Sequence, residues 1–205
     1  MPPKIKICGI TRLCDIEAIN AAKPDYIGFV FAESRRRVTQ YQAKALYKAL
    51  EPLIIAFGVF VNAPLDYILR LVGEGIIDAI QLHGAEDEFF IEELRRHTAS
   101  PIIKAVSVQK KGDVQKWENS AADFLLLDHK NGGTGETFDW DLIGAVKKPF
   151  FLAGGLSAKN VIDAIKNTNP FAVDVSSGVE VAPGVKCPEK INRFVKVCKS
   201  GRSKM

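Results

Sequence analysis

The 205-residue sequence has few cysteines and no long apolar run, and both absences limit the classes of protein to which it belongs. Its four cysteines form no CxxC pair, so we expect neither a zinc site nor the disulfide framework of a small secreted domain. No apolar run approaches the roughly 18 to 20 residues that cross a bilayer, and no secretory signal pattern is present. These absences predict a cytoplasmic protein with reduced thiols and no membrane partner.

Runs of one charge are also scarce. The net charge is +4, and the basic residues are scattered except at residues 35–37 and in the tail 199–204. We interpret the tail, from about residue 199, as a short solvated extension, and we expect no nucleic-acid partner. The alternative is a noncatalytic basic domain that binds nucleic acid through these two clusters, which steeply salt-dependent binding would identify.

Short apolar, β-branched runs alternate with segments of helical periodicity along the whole chain. Eight such runs without a linker predict an α/β protein in which residues 1–205 form a single (β/α)8 TIM-barrel domain. An open doubly wound sheet is the alternative, but the turn after the first run has one glycine instead of a GxGxxG motif. The predicted strands are residues 5–8, 26–31, 54–61, 79–83, 102–106, 124–128, 150–153 and 172–176.

Two connections between the predicted strands differ from the others. Residues 109–122 show little amphipathic stripe, so the fifth helix is predicted to be reduced or replaced by a loop. Residues 129–140 carry three glycines in four positions. This pattern is typical of a loop that closes over a substrate, and equally of a flexible surface turn.

Polar and glycine residues end the last two predicted strands, where (β/α)8 barrels often bind phosphate. Gly154 and Gly155 follow the seventh strand, and Ser176 and Ser177 lie at the end of the eighth. Glycine lets backbone N–H groups approach an anion closely, and serine adds hydroxyl donors. We therefore predict a phosphate site in these loops, although the glycines alone are also typical of a tight strand-to-helix turn.

Cys8 and Asp128 end the first and sixth strands, so a phosphate held by the seventh and eighth strands would lie between them. A thiol and a carboxyl in this arrangement suit a general base and a general acid. For these roles the pKa of Asp128 has to be raised by burial and the pKa of Cys8 lowered by positive charge. The alternatives are an inert buried thiol and a structural aspartate.

Alternation along the first strand places Lys4, Lys6 and Cys8 on one face, which we expect to point into the barrel. A lysine inside the barrel needs a partner. The eighth strand is the neighbour of the first in a closed barrel, and Asp174 lies on its equivalent face. We therefore predict a Lys6–Asp174 ion pair beneath Cys8, whose cation would help to lower the pKa of the thiol.

Arg36 and His83 lie near the ends of the second and fourth strands. The planar fork of Arg36 suits a substrate carboxylate, but the three adjacent arginines at 35–37 leave the choice among them open. His83 has no second histidine or carboxylate at metal-ligand spacing. A hydrogen-bonded barrel histidine is therefore favoured over a metal ligand or an acid.

Several motifs together resemble phosphoribosylanthranilate isomerase. They occur in the family's order over nearly the whole chain, and the set is far more specific than any single motif. The motifs are KICGIT (6–11), FVF (29–31), SRR (34–36), QLHG (81–84), LD (127–128), GGTG (132–135), FDW (138–140), LAGGL (152–156), DVSSGVE (174–180), PG (183–184) and Lys186.

The resemblance implies a (β/α)8 barrel with a reduced fifth helix and an Amadori rearrangement in tryptophan biosynthesis, without metal or cofactor. The small phosphorylated substrate N-(5-phosphoribosyl)anthranilate would become 1-(2-carboxyphenylamino)-1-deoxyribulose 5-phosphate. By similarity, Asp128 is the general acid, Cys8 the general base and Arg36 the ligand of the anthranilate carboxylate. Further substrate-binding residues are expected at His83, Gly154, Gly155, Asp174, Ser176, Ser177 and Gly178.

The second enzymatic interpretation is the sister Amadori isomerase of histidine biosynthesis. Its members usually carry aspartates at both the acid and the base position, so Cys8 argues against it. The sequence leaves open whether the protein is a monomer or a homodimer and whether it accepts a second phosphoribosyl substrate.

Overall fold

The computed structural model describes residues 3–129 and 137–200, and its strands close into a parallel barrel in sequence order. The first strand pairs with both the second and the eighth. All eight predicted strands are confirmed, and the open sheet is wrong. The strands are Lys4–Cys8 (β1), Tyr26–Val30 (β2), Ile55–Phe60 (β3), Ala79–Leu82 (β4), Ile102–Ser107 (β5), Phe124–Asp128 (β6), Phe150–Leu152 (β7) and Ala172–Val175 (β8), followed by a hairpin of Glu180–Ala182 (β9) and Val185–Lys186 (β10).

Six α-helices surround the barrel in the part of the chain that the structure describes. The fifth connection holds only the 3-10 turn Gln115–Trp117, which confirms the prediction that the fifth helix is reduced or replaced by a loop. The described part of the sixth connection likewise holds only a 3-10 turn, Trp140–Leu142. The helices are Leu13–Ala22 (α1), Gln40–Lys48 (α2), Leu65–Gly73 (α3), Glu88–His97 (α4), Val161–Thr168 (α5) and Pro188–Ser200 (α6).

The apolar residues form two layers, one inside the barrel and one between barrel and helices. Phe57, Leu126 and Phe151 fill the inside. Ile5 and Ile7 are fully buried in the outer layer and Lys6 is fully buried on the other face, as predicted. This arrangement directs Lys6 and Cys8 toward the barrel axis, where the candidate site lies. The prediction that Lys4 points into the barrel is wrong: at the amino end of β1 its side chain is half-exposed and forms an ion pair with Asp25 at 2.7 Å.

Two predicted features lie wholly or partly outside the described residues. The glycines of the predicted closing loop, at 132–135, are not among them, and the predicted basic tail is described only to residue 200. Within the described ranges, no helix combines the length and apolarity needed to cross a membrane.

Candidate active site

A cavity of about 250 Å³ opens at the carboxyl ends of the barrel strands. Nine of the ten site residues predicted from the sequence line it, which follows from parallel strands ending at one rim. Gly178 does not line it; the Leu156 carbonyl occupies the space that a side chain at Gly178 would need, so this glycine lets the loops after β7 and β8 pack together. The nine residues are Cys8, Arg36, His83, Asp128, Gly154, Gly155, Asp174, Ser176 and Ser177.

Cys8 ends β1 and pairs in register with Gly28 of β2. A Cβ atom at Gly28 would lie 2.7 Å from the Cys8 sulfur, so the glycine makes room for the thiol. Burial raises the pKa of Cys8, and the charges of Lys6 and Lys186 offset this only in part. Lys6 lowers the pKa of Cys8 as predicted, but the net lowering that the role of general base calls for is not found, because desolvation of the thiolate outweighs the two lysines.

Asp128 ends β6, and its Oδ1 accepts a hydrogen bond of 2.7 Å from the backbone N–H of His129. Burial raises the pKa of Asp128 to about 6, with the nearby Asp174 charge acting in the same direction. The predicted upward shift is therefore confirmed. A carboxyl group with this pKa is partly protonated near neutral pH, as a general acid requires.

The predicted Lys6–Asp174 ion pair is confirmed, with 2.7 Å between Nζ and Oδ2. Lys6 Nζ also donates to Gln81 Oε1 at 2.8 Å. Burial favours the neutral amine, but the Asp174 carboxylate and the Cys8 sulfur outweigh burial and raise the pKa of Lys6. Oδ1, the other carboxylate oxygen of Asp174, is buried and has no hydrogen-bond partner among the described residues.

His83 is hydrogen-bonded within the barrel rim. Since Gln81 Oε1 accepts from Lys6, its amide nitrogen donates to His83 Nδ1 at 2.9 Å. His83 Nε2 then faces Asp128 Oδ2 at 3.8 Å. Burial and the charge of Lys6 lower the pKa of His83 to about 4, so the ring is neutral at pH 7. The hydrogen-bonded histidine favoured from the sequence is confirmed.

Of the three adjacent arginines, Arg36 lines the cavity, while Arg37 forms an exposed ion pair with Glu33. Nε and Nη2 of Arg36 each donate to a different oxygen of Glu180 at 2.8 Å. These bonds raise the pKa of Arg36. The guanidinium is therefore held in a two-bond ion pair at the cavity wall.

Glu180 and Lys186 are buried charges to which sequence reasoning gave no role. Lys186 Nζ donates to Glu180 Oε1 at 2.7 Å, and to the carbonyl and hydroxyl oxygens of Ser176 at 3.1 and 3.2 Å. The hairpin of β9 and β10 brings Lys186 back onto Glu180, and no local pattern predicted that hairpin. The only sequence signal was that both residues lie within the family motifs.

The glycines after β7 adopt backbone conformations that are rare for residues with a side chain. Gly154 has φ 82° and Gly155 has φ 60°, both in the left-handed region that favours glycine. Asn160 Nδ2 donates to the Gly155 carbonyl at 3.0 Å and holds the turn. The described ranges 3–129 and 137–200 contain no group of three histidine, cysteine, aspartate or glutamate side chains placed to hold a metal ion.

Residues 5–197 match the family model for N-(5'phosphoribosyl)anthranilate (PRA) isomerase. The N-(5'-phosphoribosyl)anthranilate isomerase of Endomicrobium trichonymphae is 45% identical over 202 residues, which cover 97% of this chain and 99% of the relative. The chain belongs to the phosphoribosylanthranilate isomerase family. This isomerase therefore catalyses the Amadori rearrangement of N-(5-phosphoribosyl)anthranilate in tryptophan biosynthesis, as the sequence motifs implied.

Solved isomerase structures share the barrel. One, of mutually generated monomers of the dimeric isomerase from Thermotoga maritima, is 36% identical, with a TM-score of 0.85 and coverage of 97% of this chain and 99% of that one. Another, a phosphoribosylanthranilate isomerase in complex with reduced 1-(o-carboxyphenylamino)-1-deoxyribulose 5-phosphate, is 35% identical, with the same TM-score and coverage. The TIM-barrel fold of the isomerase is thus shown by both its own strand order and its relatives.

Proposed function

We propose that Asp128 is the general acid and Cys8 the general base of this isomerase. Asp128 protonates the furanose ring oxygen, and the ring opens to a Schiff base. The Cys8 thiolate then removes the proton from C2, which gives an enolamine that tautomerises to the ketone. The observation that carries the proposal is that both groups line one cavity, with the phosphate loops after β7 and β8 between them.

The charge state of the pair follows from burial. With the pKa of Asp128 at about 6 and that of Cys8 raised, the dominant neutral-pH form has a carboxylate and a thiol. The reactive form, a carboxylic acid with a thiolate, holds the same number of protons and is a minor species. Lys6 and Lys186 favour the thiolate of this form because both lower the pKa of Cys8; Lys6 also lowers the pKa of Asp128, which acts against the carboxylic acid.

The substrate's ends and hydroxyl groups have separate partners in this proposal. Its phosphate binds the backbone and hydroxyl groups of the loops after β7 and β8, which include Gly178 as the glycine that lets them pack. Its carboxylate binds Arg36. A sugar hydroxyl donates to Asp174 Oδ1, since a buried acceptor without a partner is unfavourable until a donor reaches it. His83 offers its Nε2–H beside Asp128.

The acid and base roles are tested by Cys8→Ala and Asp128→Ala, assayed for turnover of N-(5-phosphoribosyl)anthranilate without added metal or cofactor. Each is expected to lower kcat by about 100- to 10,000-fold, the usual contribution of a positioned acid or base. Cys14→Ala and Asp66→Asn are matched controls, because both side chains are exposed on helices, and both should leave kcat unchanged. Near-normal turnover by either site variant would overturn the role assigned to it.

We further infer that the isomerase is a cytoplasmic homodimer in which residues 1–205 form one domain. The Thermotoga maritima relative is described as dimeric. In this chain, Leu53, Ile55 and Phe171 are exposed apolar residues at the amino ends of β3 and β8, opposite the cavity. A second copy covering this end would remove them from water.

A further inference from the structure

Arg36 is the side chain at the carboxylate end of the proposed site, and its orientation is fixed from two sides. Its stem crosses Gly9, where an added Cβ atom would lie 2.5 Å from the Arg36 Cδ. Its Nε–H and one Nη2–H are bonded to Glu180. In the part of the chain that the structure describes, no other acceptor contacts the guanidinium. One edge of the fork is therefore occupied by Glu180, and the edge formed by Nη1 and the second Nη2–H is left for a ligand.

Glu180 cannot swing aside to release Arg36. It is only 7% exposed, and its Oε1 also accepts from Lys186 at 2.7 Å. The backbone carbonyl of Glu180 accepts from Lys190 Nζ at 2.6 Å, which anchors the start of the hairpin. Glu180 is thus a fixed part of the site wall and not a stand-in for the substrate carboxylate.

The cluster of Arg36, Glu180 and Lys186 carries one net positive charge. Two cations without the glutamate would present a doubly positive wall beside Ser176, which lies in the phosphate loop. With the glutamate, the wall suits a singly charged carboxylate at Arg36, and Lys186 stays bonded to Ser176. Glu180 therefore separates the carboxylate end of the site from the phosphate end in both geometry and charge.

We propose that Glu180 is the positioning residue that makes this site selective for an aryl carboxylate. It holds the free edge of Arg36 in the cavity. It also limits the net charge of the cluster to one positive charge, which matches a single carboxylate. The proposal rests on the proposed function of Arg36 as the carboxylate ligand, and it adds that Arg36 discriminates only when Glu180 holds it.

The test uses two binding probes that differ only in the carboxylate. They are reduced 1-(o-carboxyphenylamino)-1-deoxyribulose 5-phosphate and the same compound with an unsubstituted phenylamino group. Carboxylate selectivity is the Kd of the carboxylate-free probe divided by the Kd of the carboxylate probe. Both Kd values are measured by calorimetry on the full chain. Glu180→Gln is expected to lower this ratio about tenfold while the Kd of the carboxylate-free probe stays within about twofold. KM for the substrate should rise more than kcat falls.

Two control variants, Glu86→Gln and Arg36→Ala, are compared with Glu180→Gln. Glu86→Gln removes another buried carboxylate, one paired with Lys104, and should leave the ratio unchanged. If Glu180→Gln increases the ratio or leaves it unchanged, as it would by weakening the binding of both probes equally, Glu180 does not set selectivity and the proposal is overturned. Arg36→Ala should itself abolish the selectivity; if it does not, the role of Arg36 fails instead, and the two failures are distinguishable.

Glu180→Asp provides a second variant that keeps the charge. Its side chain is one methylene shorter and cannot reach both Arg36 nitrogens from the same backbone, so the ratio is again expected to fall. If Glu180→Gln does not fold, as judged by circular dichroism, the Glu180→Asp ratio decides the proposal: an unchanged ratio overturns it.

Discussion

At the scale of single residues, the site depends on charges that are held away from water. Lys6 is paired with Asp174, and Glu180 is paired with two cations. Asp128 instead lies beside the neutral ring of His83 and accepts one backbone N–H. Its ionised form is therefore disfavoured in the folded protein, and the pKa near 6 that suits catalysis has a cost in stability at neutral pH.

Asp128→Asn is expected to stabilise the protein at pH 7 while it abolishes activity. The folded pKa of about 6 lies above the unfolded value of about 3.9, so the folded wild type binds an extra proton between these pH values. The contribution of Asp128 to stability is therefore present at low pH and lost as the pH rises through 6. At pH 7 the variant should gain about 1–3 kcal/mol in the free energy of unfolding.

Urea unfolding of both proteins between pH 4 and pH 8 measures this difference. The advantage of Asp128→Asn should shrink as the pH falls toward 4, because both proteins then hold a neutral group at this position. Asp66→Asn, at an exposed helix position, is the control: its free energy of unfolding relative to that of the wild type should not increase from pH 4 to pH 7. A variant no more stable than the wild type at pH 7 would contradict a raised pKa for Asp128.

Sequence reasoning predicted contacts between residues better than it predicted their pKa values. The Lys6–Asp174 pair followed from alternation along two strands and from barrel closure, which bring the two residues into register. The pKa of Cys8 depends on the balance between desolvation and two lysines, and alternation does not specify the depth of burial. The direction in which Lys6 shifts the pKa of Cys8 was therefore predictable, but the net shift of that pKa was not.

At the scale of elements, the placement of Cys8 depends on the neighbouring strand. β1 and β2 are paired so that Cys8 lies opposite Gly28, and Gly28 has no side chain to displace the thiol. The carbonyl of Gly28 also accepts from the N–H groups of Gly9 and Ile10, the two residues that follow β1. A small residue in β2 is therefore needed to keep the thiol on the cavity side of β1.

Gly28→Ala is expected to lower kcat by about 100-fold, because the new methyl group would lie 2.7 Å from the Cys8 sulfur and displace it by a sizeable fraction of an ångström or more. The strand should persist, since alanine fits an extended backbone. Steady-state kinetics and circular dichroism together check this expectation. An active variant would mean that β1 and β2 adjust without moving the thiol.

Gly73→Ala is the control for this substitution. Gly73 ends α3, and an added Cβ atom there would meet nothing within 4 Å. The control should keep full activity, with a stability equal to or slightly above that of the wild type, because alanine favours helix more than glycine does. A loss of activity in the control would indicate a general sensitivity to glycine replacement.

The missing fifth helix shows what periodicity reveals and what it omits. Weak amphipathicity correctly predicted a reduced element at 109–122. It did not predict that Lys104 covers this side of the barrel, with its Nζ 5.2 Å from the Trp117 ring centroid, 2.7 Å from the Gly84 carbonyl and 3.3 Å from Glu86. These contacts join a residue of β5 to the connections before and after it, so a pattern within any one of these segments does not contain the information.

At the scale of the whole molecule, the barrel has two chemically different ends. Charged and hydroxyl groups surround the cavity at the carboxyl ends of the strands, and the eight-strand count predicted this placement. The Arg36–Glu180 pair at that end joins residues 144 positions apart. Only the closed fold and the unpredicted hairpin bring them together, so this part of the site was not predictable from local sequence.

The opposite end supports a final prediction, that the isomerase is a homodimer that separates without losing activity. Leu53 is 92% exposed near the start of β3, and burying it against a second copy would stabilise the pair. Leu53→Glu should therefore halve the mass measured by light scattering, whereas Phe89→Glu, an exposed aromatic at the start of α4 near the cavity end, should not. The Leu53→Glu monomer should retain kcat, because one chain supplies every residue assigned to the site. A monomeric wild type at micromolar concentration, or an inactive Leu53→Glu monomer, would contradict this arrangement.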